Sequence, residues 1–488
     1  MSKNIKNYCL GVACIVLSFW GCTPSITSKK VNKSVPAQYS NVQDTTNMAT
    51  IQKAQDTTNL ASVKWKNYFT DPFMTSLIDT ALQNNQELNI ILQEINVAQN
   101  EVRARKGEYL PFISFLGGAG VEKVGEYTRH GAVDPVTDIE PGKRVPEVLP
   151  DYLLAADLSW EIDIWKKLRN SKKAAVYNYL STVEGQKFMV TNLVTEIASA
   201  YYELIALDNQ LDILKKNIEI QTNALHTIQM QKAAAKVTEL AVRRFEAQVF
   251  YTKSLQYNIQ QKIIETENRI NFLVGRYPRP IERNLQTFNK VVPDAFHAGI
   301  PSQLLENRLD IKQAELAIEA AKLDVKVAKA NFYPSLHLSA GLGYQAFNPK
   351  FLVNTPESMM FNMTGGLVAP LINRNALKAA YFNANAKQIQ AVYNYERTIL
   401  NAYIEVTNQL SKVNNLEKSY DLKAKQVEAL TESIKISNSL FLSARADYME
   451  VLLTQRDALE SKMELIETKK NQAIAMIAFY RALGGGWN

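Results

Sequence analysis

The stretch Tyr109-Leu-Pro111-Phe-Ile-Ser-Phe-Leu-Gly-Gly-Ala-Gly120 is answered later in the chain by Phe332-Tyr-Pro334-Ser-Leu-His-Leu-Ser-Ala-Gly-Leu-Gly343. Each follows a helix-periodic run and then turns into a glycine-spotted segment; in the second copy Leu336, Leu338, Ala340 and Leu342 alternate with His337, Ser339, Gly341 and Gly343. Such alternation reads as a strand. Proline disfavours helix at the residue before it, so Pro111 and Pro334 mark the switch. Working outward at the same spacing, Leu88, Ala98, Val102 and Lys106 fall against Ile311, Ala321, Val325 and Lys329, and Gly118 and Gly120 against Gly341 and Gly343. A second block sets Ala200-Tyr201-Tyr202-Glu203 against Ala402-Tyr403-Ile404-Glu405. A third sets Leu240, Val242 and Gly275 against Met449, Val451 and Gly484. The blocks keep their order, and their spacing drifts only because loop lengths differ. One unit is written twice.

Each unit predicts a helix, a strand, a long polar loop, a second strand and a pair of long helices. The first helix shows apolar residues at helical spacing from Leu77 to Arg105, with its counterpart from Leu304. The strands are expected at about 110–121 and 152–161, and again at about 334–345 and 361–371. About ten residues is what a tilted transmembrane strand needs. Four such strands cannot close a barrel, and hydrocarbon does not tolerate open edges. If they span a membrane the chain must oligomerise, and the strands of three copies fall within the usual barrel range. Lys166 to about Ala235 contains no proline, and Asn375 to about Leu442 neither proline nor glycine. At 1.5 Å per residue such a run reaches about 100 Å. Leu193, Ile197, Ala200, Leu204, Leu207, Leu211 and Leu214 repeat at heptad-like spacing within the first run. Returning helices are expected over about Thr238–Val274 and Asp447–Leu483.

The division that follows is a signal segment 1–21, a tether 22–64, a first repeat 65–275, a proline-bearing linker 276–302 and a second repeat 303–488. Lys3 and Lys6 precede an apolar run from Tyr8 to Trp20, as in a secretory signal. Phe19-Trp20-Gly21-Cys22 resembles a lipobox, in which the cysteine becomes the lipid-modified N-terminus. Thr23, rather than an aspartate, follows Cys22, which favours sorting to the outer membrane. The tether is polar, with Gln43-Asp-Thr-Thr-Asn47 echoed by Gln55-Asp-Thr-Thr-Asn59, and reads as extended chain.

Composition excludes more than it suggests. The 488 residues carry a mild net charge of +7, with cations and anions interleaved along the helices. No basic block with interleaved aromatics appears, so nucleic acid is not an expected partner. All three cysteines lie within the first 22 residues, which removes disulfides and cysteine metal sites from the body. His130, His226, His297 and His337 are scattered. No phosphate loop, dinucleotide fingerprint, metal cluster or nucleophile motif is present, so neither an enzyme nor a cofactor beyond a covalent lipid on Cys22 is expected.

With these residues together, the chain resembles the TolC/OprM class of bacterial outer membrane efflux proteins, in its lipoprotein branch. The resemblance covers nearly everything after residue 65. It rests on the duplicated unit, the Tyr109-Leu-Pro111 and Phe332-Tyr-Pro334 turns, Ser159-Trp160-Glu161-Ile162-Asp163-Ile164-Trp165, Ala369-Pro370-Leu371-Ile372, Val451-Leu452-Leu453-Thr454-Gln455-Arg456 and the terminal Ala482-Leu483-Gly484-Gly485-Gly486-Trp487. The fold it implies is an α+β membrane protein: a homotrimer sharing a transmembrane β-barrel, four strands from each copy, continued by a long α-helical barrel in the periplasm. The partners it implies are a periplasmic adaptor protein, an inner-membrane pump of the resistance–nodulation–division type and outer membrane lipid. The duct would pass drugs or other small solutes passively. A protein-secretion duct and a coiled-coil scaffold are the alternatives, and the scaffold leaves the lipobox and the two strand pairs unexplained.

The resemblance also implies a gate at the inner tip, where the second-copy helices turn. Met449 and Leu453 are candidates for an apolar constriction there, with Glu450, Asp447 and Arg456 making or breaking tip contacts. Leu453 stands where the family often has aspartate. The glycines usual at the helical turns are replaced by Ala233-Ala-Ala-Lys236-Val237-Thr238 and Leu442-Ser-Ala-Arg445-Ala446-Asp447.

Overall fold

The computed structural model describes residues 23–36, 39, 60–285, 288, 299–370, 372, 374–443 and 445–487. Cys22, the signal segment, His297, Leu371 and most of the predicted tether lie outside them. The long elements are α1 (Pro72–Asn84), α2 (Gln86–Glu108), β1 (Phe112–Glu122), β2 (Leu149–Ile162), α3 (Lys167–Ala233) and α4 (Glu239–Val274), then α5 (Leu309–Ala330), β3 (Ser335–Ala346), β4 (Met359–Val368), α6 (Asn375–Leu442) and α7 (Tyr448–Ala482). None of the described helices is long and apolar enough to cross a membrane.

The chain forms two compact units, and each draws on both repeats. One holds Asn96–Leu180 and Leu316–Tyr393, with the described residues up to Lys30; the other holds Val31–Ile95, Ser181–Glu315 and Asn394–Asn488.

The first unit is built on a four-stranded antiparallel meander in the order β1-β2-β3-β4. Pro150, expected to lie in the loop, falls inside β2, opposite Val121 of β1. Pairing of β2 with β3 begins only at Tyr152, so Pro150 has a strand on one side and its missing N–H costs no ladder bond on the other. β4 starts at Met359 and stops at Val368, earlier at both ends than predicted; Pro370, which has no N–H to donate to a ladder, follows its end. The helix–strand junctions in this unit carry stacked aromatics and cations. Trp160 Nε1 donates to the Tyr109 carbonyl at 3.2 Å, and Trp165 Nε1 to the Pro334 carbonyl at 2.7 Å. The Arg169 guanidinium lies over the Tyr109 ring, and Arg374 lies over Phe332. Asp163 starts α3, its carboxylate accepting from the backbone N–H of Leu168 and Arg169 at 3.1 and 2.9 Å. Ile26, from the extended tether, packs with Val325, Ala328, Phe332 and Tyr381.

The second unit is helical. Its core gathers Trp65, Phe69, Met74 and Ile78 against Ile197, Tyr201, Leu204, Ile205, Ile270 and Tyr480, several of them fully buried. The heptad-spaced residues of α3 are in this core, apart from Leu211, which packs against it half-buried. The duplication is visible here atom by atom. α4 ends on Gly275 at φ 76°, and α7 is followed by Gly484 at φ 97°, both left-handed. Arg276 N–H reaches back to the Asn271 carbonyl at 3.0 Å, and Gly485 N–H to Tyr480 at 3.1 Å, the same closing bond in both copies. A Cβ on Gly275 would stand 2.3 Å from the Asn84 carbonyl oxygen, and one on Gly484 2.8 Å from that of Asn307. The neighbouring residue then binds the helix end. The Asn85 side-chain amide donates to the Leu273 carbonyl at 2.8 Å, and in the second copy Arg308 donates to that of Ala482 at 2.9 Å.

α3 ends in the same closing geometry without glycine. Lys236 N–H bonds the Gln231 carbonyl at 2.9 Å, and Ala235 is left-handed at φ 54°. Its repeat, Arg445 N–H to the Leu440 carbonyl at 2.8 Å, closes α6. Two changes at these turns should therefore act in opposite directions. Ala235→Gly relieves the left-handed strain and is expected to stabilise the protein by about 1 kcal/mol. Gly275→Ala drives a methyl into the Asn84 carbonyl and is expected to cost about 3 kcal/mol. Denaturant midpoints of the purified variants check both signs.

Candidate functional site

Two features carry the chemistry, a two-faced sheet in one unit and a hairpin tip in the other. In an antiparallel pair, directly opposed residues share a face. The register therefore sorts the sheet. One face carries Ile113 and Phe115 of β1, opposite Leu158 and Ala156 of β2. It continues through Ala340 and Leu342 of β3 to Met363 and Phe361 of β4. Along the whole paired register no charged side chain falls on this face, and its only polar atoms are those of Tyr152, Tyr344 and Trp160. Yet it is not buried: Phe115 is 74% and Phe361 77% exposed. The opposite face is mixed: it carries Ser114, Asp157, Ser159, Ser339, Asn362 and Thr364, with Glu161 and His337 paired toward one end, and Phe112, Leu116, Leu153 and Met360 among them. It also holds Gly118, Gly120, Gly341 and Gly343, which keep it low. Gln345 donates to the Asp151 carboxylate on this side at 2.9–3.0 Å. β1 and β4 are the sheet edges.

The tip is where α3 turns into α4 and α6 into α7. Ile228, Ala241, Val242 and Phe245 form a small core there, covered by Phe441, Tyr448 and Leu452 from the second copy. This core fixes which side of α7 faces outward. Val451 and Gln455 are buried, while Glu450, Leu453 and Arg456 are exposed. Asp447 is the N-cap residue of α7, without a side-chain capping bond. Arg456 pairs with its neighbour Asp457 at 3.1 Å rather than across the tip. Met449 Sδ lies 2.8 Å from an Arg244 guanidinium nitrogen. The structure thus brings Met449, Glu450, Leu453 and Arg456 onto the first turns of one helix. Leu453 is 38% exposed in the protomer.

Arg244 escaped the sequence reading, although the signal was there. The spacing that sets Leu240 against Met449 also sets Arg244 against Leu453. The first-copy tip is in fact the more charged of the two. Glu239 is paired with Lys232 and Arg243, and Arg243 also reaches Glu246 at 2.8 Å. Hydrogen bonding to Lys232, reinforced by Arg243, holds the Glu239 carboxyl below the usual carboxylate range. Among the described residues no group of three or more His, Cys, Asp or Glu side chains could hold a metal ion.

Comparison with known proteins agrees with this geometry. Residues 77–276 and 300–485 match the family model described as "Outer membrane efflux protein". The chain is 25% identical over 476 residues to "Cation efflux system protein CusC" of Escherichia coli O6:H1, covering 97% of this chain and 98% of the relative. It is 23% identical over 484 residues to "Pyoverdine export outer membrane protein OpmQ" of Pseudomonas aeruginosa, covering 99% and 98%. Its fold superposes on the open state of the Neisseria gonorrhoeae MtrE outer membrane channel with a TM-score of 0.80, at 20% identity, over 96% of this chain and 99% of that one. The match to the family model takes in both repeats, and the chain belongs to the outer membrane efflux protein family.

Proposed function

We propose that this chain is one of three identical subunits of an outer membrane duct, and that the duct passes small solutes delivered by an inner-membrane pump and a periplasmic adaptor. The observation that carries the reading is the sheet. Its apolar face is exposed over four strands, its polar face lies behind, and both edges are open. Lipid accepts the first face and water the second. The edges require strands from other copies, because unpaired backbone groups cost several kcal/mol each in hydrocarbon. Three copies close a barrel of ordinary size. The long helices line the periplasmic part of the path, and the pump, of the resistance–nodulation–division type, supplies the energy. Cys22 carries the lipid that tethers each N-terminus to the same membrane. Met449 and Leu453 narrow the closed tip, with Asp447, Glu450 and Arg456 at its rim.

The test is planar-bilayer conductance of the detergent-purified protein, with its mass determined alongside. A trimer giving small, mostly closed channels supports a gated duct. A monomer with an intact fold, or an elongated soluble species without channel activity, overturns it. Two sets of variants sharpen the test. Leu342→Arg places a charge on the apolar face and is expected to cost about 2–4 kcal/mol of stability in lipid vesicles. Ser339→Arg, on the opposite face of the same strand, is expected to assemble normally and change ion selectivity; equal losses from both would contradict the assignment of faces. Replacing both Met449 and Leu453 with serine is expected to raise the open fraction several-fold. Unchanged single-channel records would move the constriction elsewhere.

A further inference from the structure

The helix ends next to the sheet carry more positive charge than their own surroundings use. Lys106 closes α2 and Lys329 closes α5. Lys166 precedes α3, Lys172 and Lys173 lie in its first two turns, and Lys378 lies in the first turn of α6. All but the half-buried Lys172 are exposed. None of the six forms an ion pair among the described residues, whereas four nearby acids are already engaged. Glu101 and Glu108 both bind Arg105, at 2.8 and 3.0 Å. Glu161 binds Lys167 at 2.5 Å and Asp163 binds Arg169 at 3.2 Å. Asp324 forms no ion pair among the described residues; burial raises its pKa, against the pull of Lys387 and Arg105.

Helix capping does not account for the excess. Cations suit helix C-termini and are disfavoured at N-termini. Yet neither α3 nor α6 has an acid in its first turn, and four of the six lysines are at these two starts. The other end of the sheet has no such surplus, its acids outnumbering its cations. There Lys123 pairs with Glu147, Lys143 with Glu140 and Arg144 with Asp138. The charge excess also follows directly on the aromatic band. Trp165 stacks on Tyr333 with centroids 4.8 Å apart, and Trp160 is tied to the Tyr109 carbonyl. Aromatics with polar tips gather at the headgroup level of a membrane. Lysines just beyond them, on flexible stems, reach the phosphates.

We propose that this basic collar binds the phosphates of anionic phospholipids in the leaflet on the helical side of the sheet. The proposal rests on the sheet spanning the membrane. A phosphodiester supplies the anion that the six lysines lack, and phosphatidylglycerol differs from phosphatidylcholine in having no compensating cation. Each lysine near an anionic surface adds about fivefold to binding, as roughly 1 kcal/mol converts.

The full chain, purified in a mild non-ionic detergent, is titrated with phosphatidylglycerol or phosphatidylcholine, and retained lipid is counted by native mass spectrometry. The wild type is expected to retain phosphatidylglycerol preferentially. Lys166→Gln, Lys172→Gln, Lys173→Gln and Lys378→Gln combined should weaken that retention by about tenfold or more. The same positions changed to arginine should keep it. A control that removes equal charge elsewhere, Lys215→Gln, Lys253→Gln, Lys262→Gln and Lys412→Gln combined, should leave it unchanged. Equal retention of the two lipids, or equal loss in the control, overturns the collar. So does a glutamine variant that loses its oligomer mass but not its lipid, which would assign the lysines to contacts between copies. If the four-fold glutamine variant does not assemble, Lys166→Gln with Lys378→Gln is scored by the same count. Conductance in phosphatidylcholine bilayers separates the two levels: wild type without channels sinks the membrane reading itself, and active channels without lipid preference sink only the collar.

Discussion

Four antiparallel strands with two open edges cannot be an end state in lipid. Every N–H and C=O along β1 and β4 that faces outward needs a partner, and hydrocarbon offers none. Within the protomer nothing makes this sheet half of a sandwich. A second sheet or helical layer over the apolar face would bury it, but Ile113, Phe115, Phe361 and Met363 all remain exposed. Burial of apolar area is worth about 25 cal/mol per Å², so a face of this size left in water would be a large penalty. Membrane insertion and self-association answer different halves of the problem. The first covers the face and the second pairs the edges. Neither suffices alone, so the proposed duct needs the sheet both in the membrane and paired with other copies.

Duplication preserved backbone geometry more strictly than chemistry. The close approach of Gly275 to Asn84 reappears at Gly484 and Asn307, with the same closing hydrogen bonds. What binds the helix end has diverged. Asn85 is neutral and also caps α2, its side-chain oxygen accepting from Leu88 N–H at 2.9 Å. Arg308 is a buried cation that binds Asp310 at 2.7 Å and Glu405 at 2.8 Å. Burial opposes its charge, and the Asp310 and Glu405 carboxylates outweigh that and hold its pKa above the ordinary arginine value. Breaking a buried pair of this kind costs about 3–5 kcal/mol. The second joint therefore tolerates less change than the first, although the two backbones superimpose in pattern.

Elements whose signal is local were legible in the sequence. Proline-free runs gave the long helices, Pro111 and Pro334 gave the strand starts, and alternation gave the faces of β3. The limits were also local. Pro150 looked like loop because a proline in a strand ordinarily costs a ladder bond, and only the stagger between β2 and its two neighbours removes that cost. Long-range relations were not legible. Nothing in the sequence near Arg244 points to Met449, because the contact joins two copies of the repeat across 205 positions. The repeat spacing could have found Arg244, since it aligns with Leu453. The charge surplus near Lys166 was partly legible, since Lys166, Lys167, Arg169, Lys172 and Lys173 follow one another with no acid between them. Only the ion pairs of the structure show that Lys167 and Arg169 are taken and the other three are not.

The distribution of core explains where motion is cheapest. The main helical core includes aromatics from the chain start, α3 and α7, with Tyr68 stacked on Tyr480 at 4.3 Å. At the tip the buried cluster shrinks to Ile228, Ala241, Val242 and Phe245. There the hairpin also carries a left-handed alanine, a conformation that works against its own closure. Local opening draws on regions with little buried apolar surface. Arg244 beside Met449 is a weak link of an uncommon kind, a cation against a thioether at an exposed position. The hairpin tips thus combine a small core, a strained turn between α3 and α4 and a contact of low energy. That is the combination the proposed gate needs if a modest push is to open it while the main core stays shut.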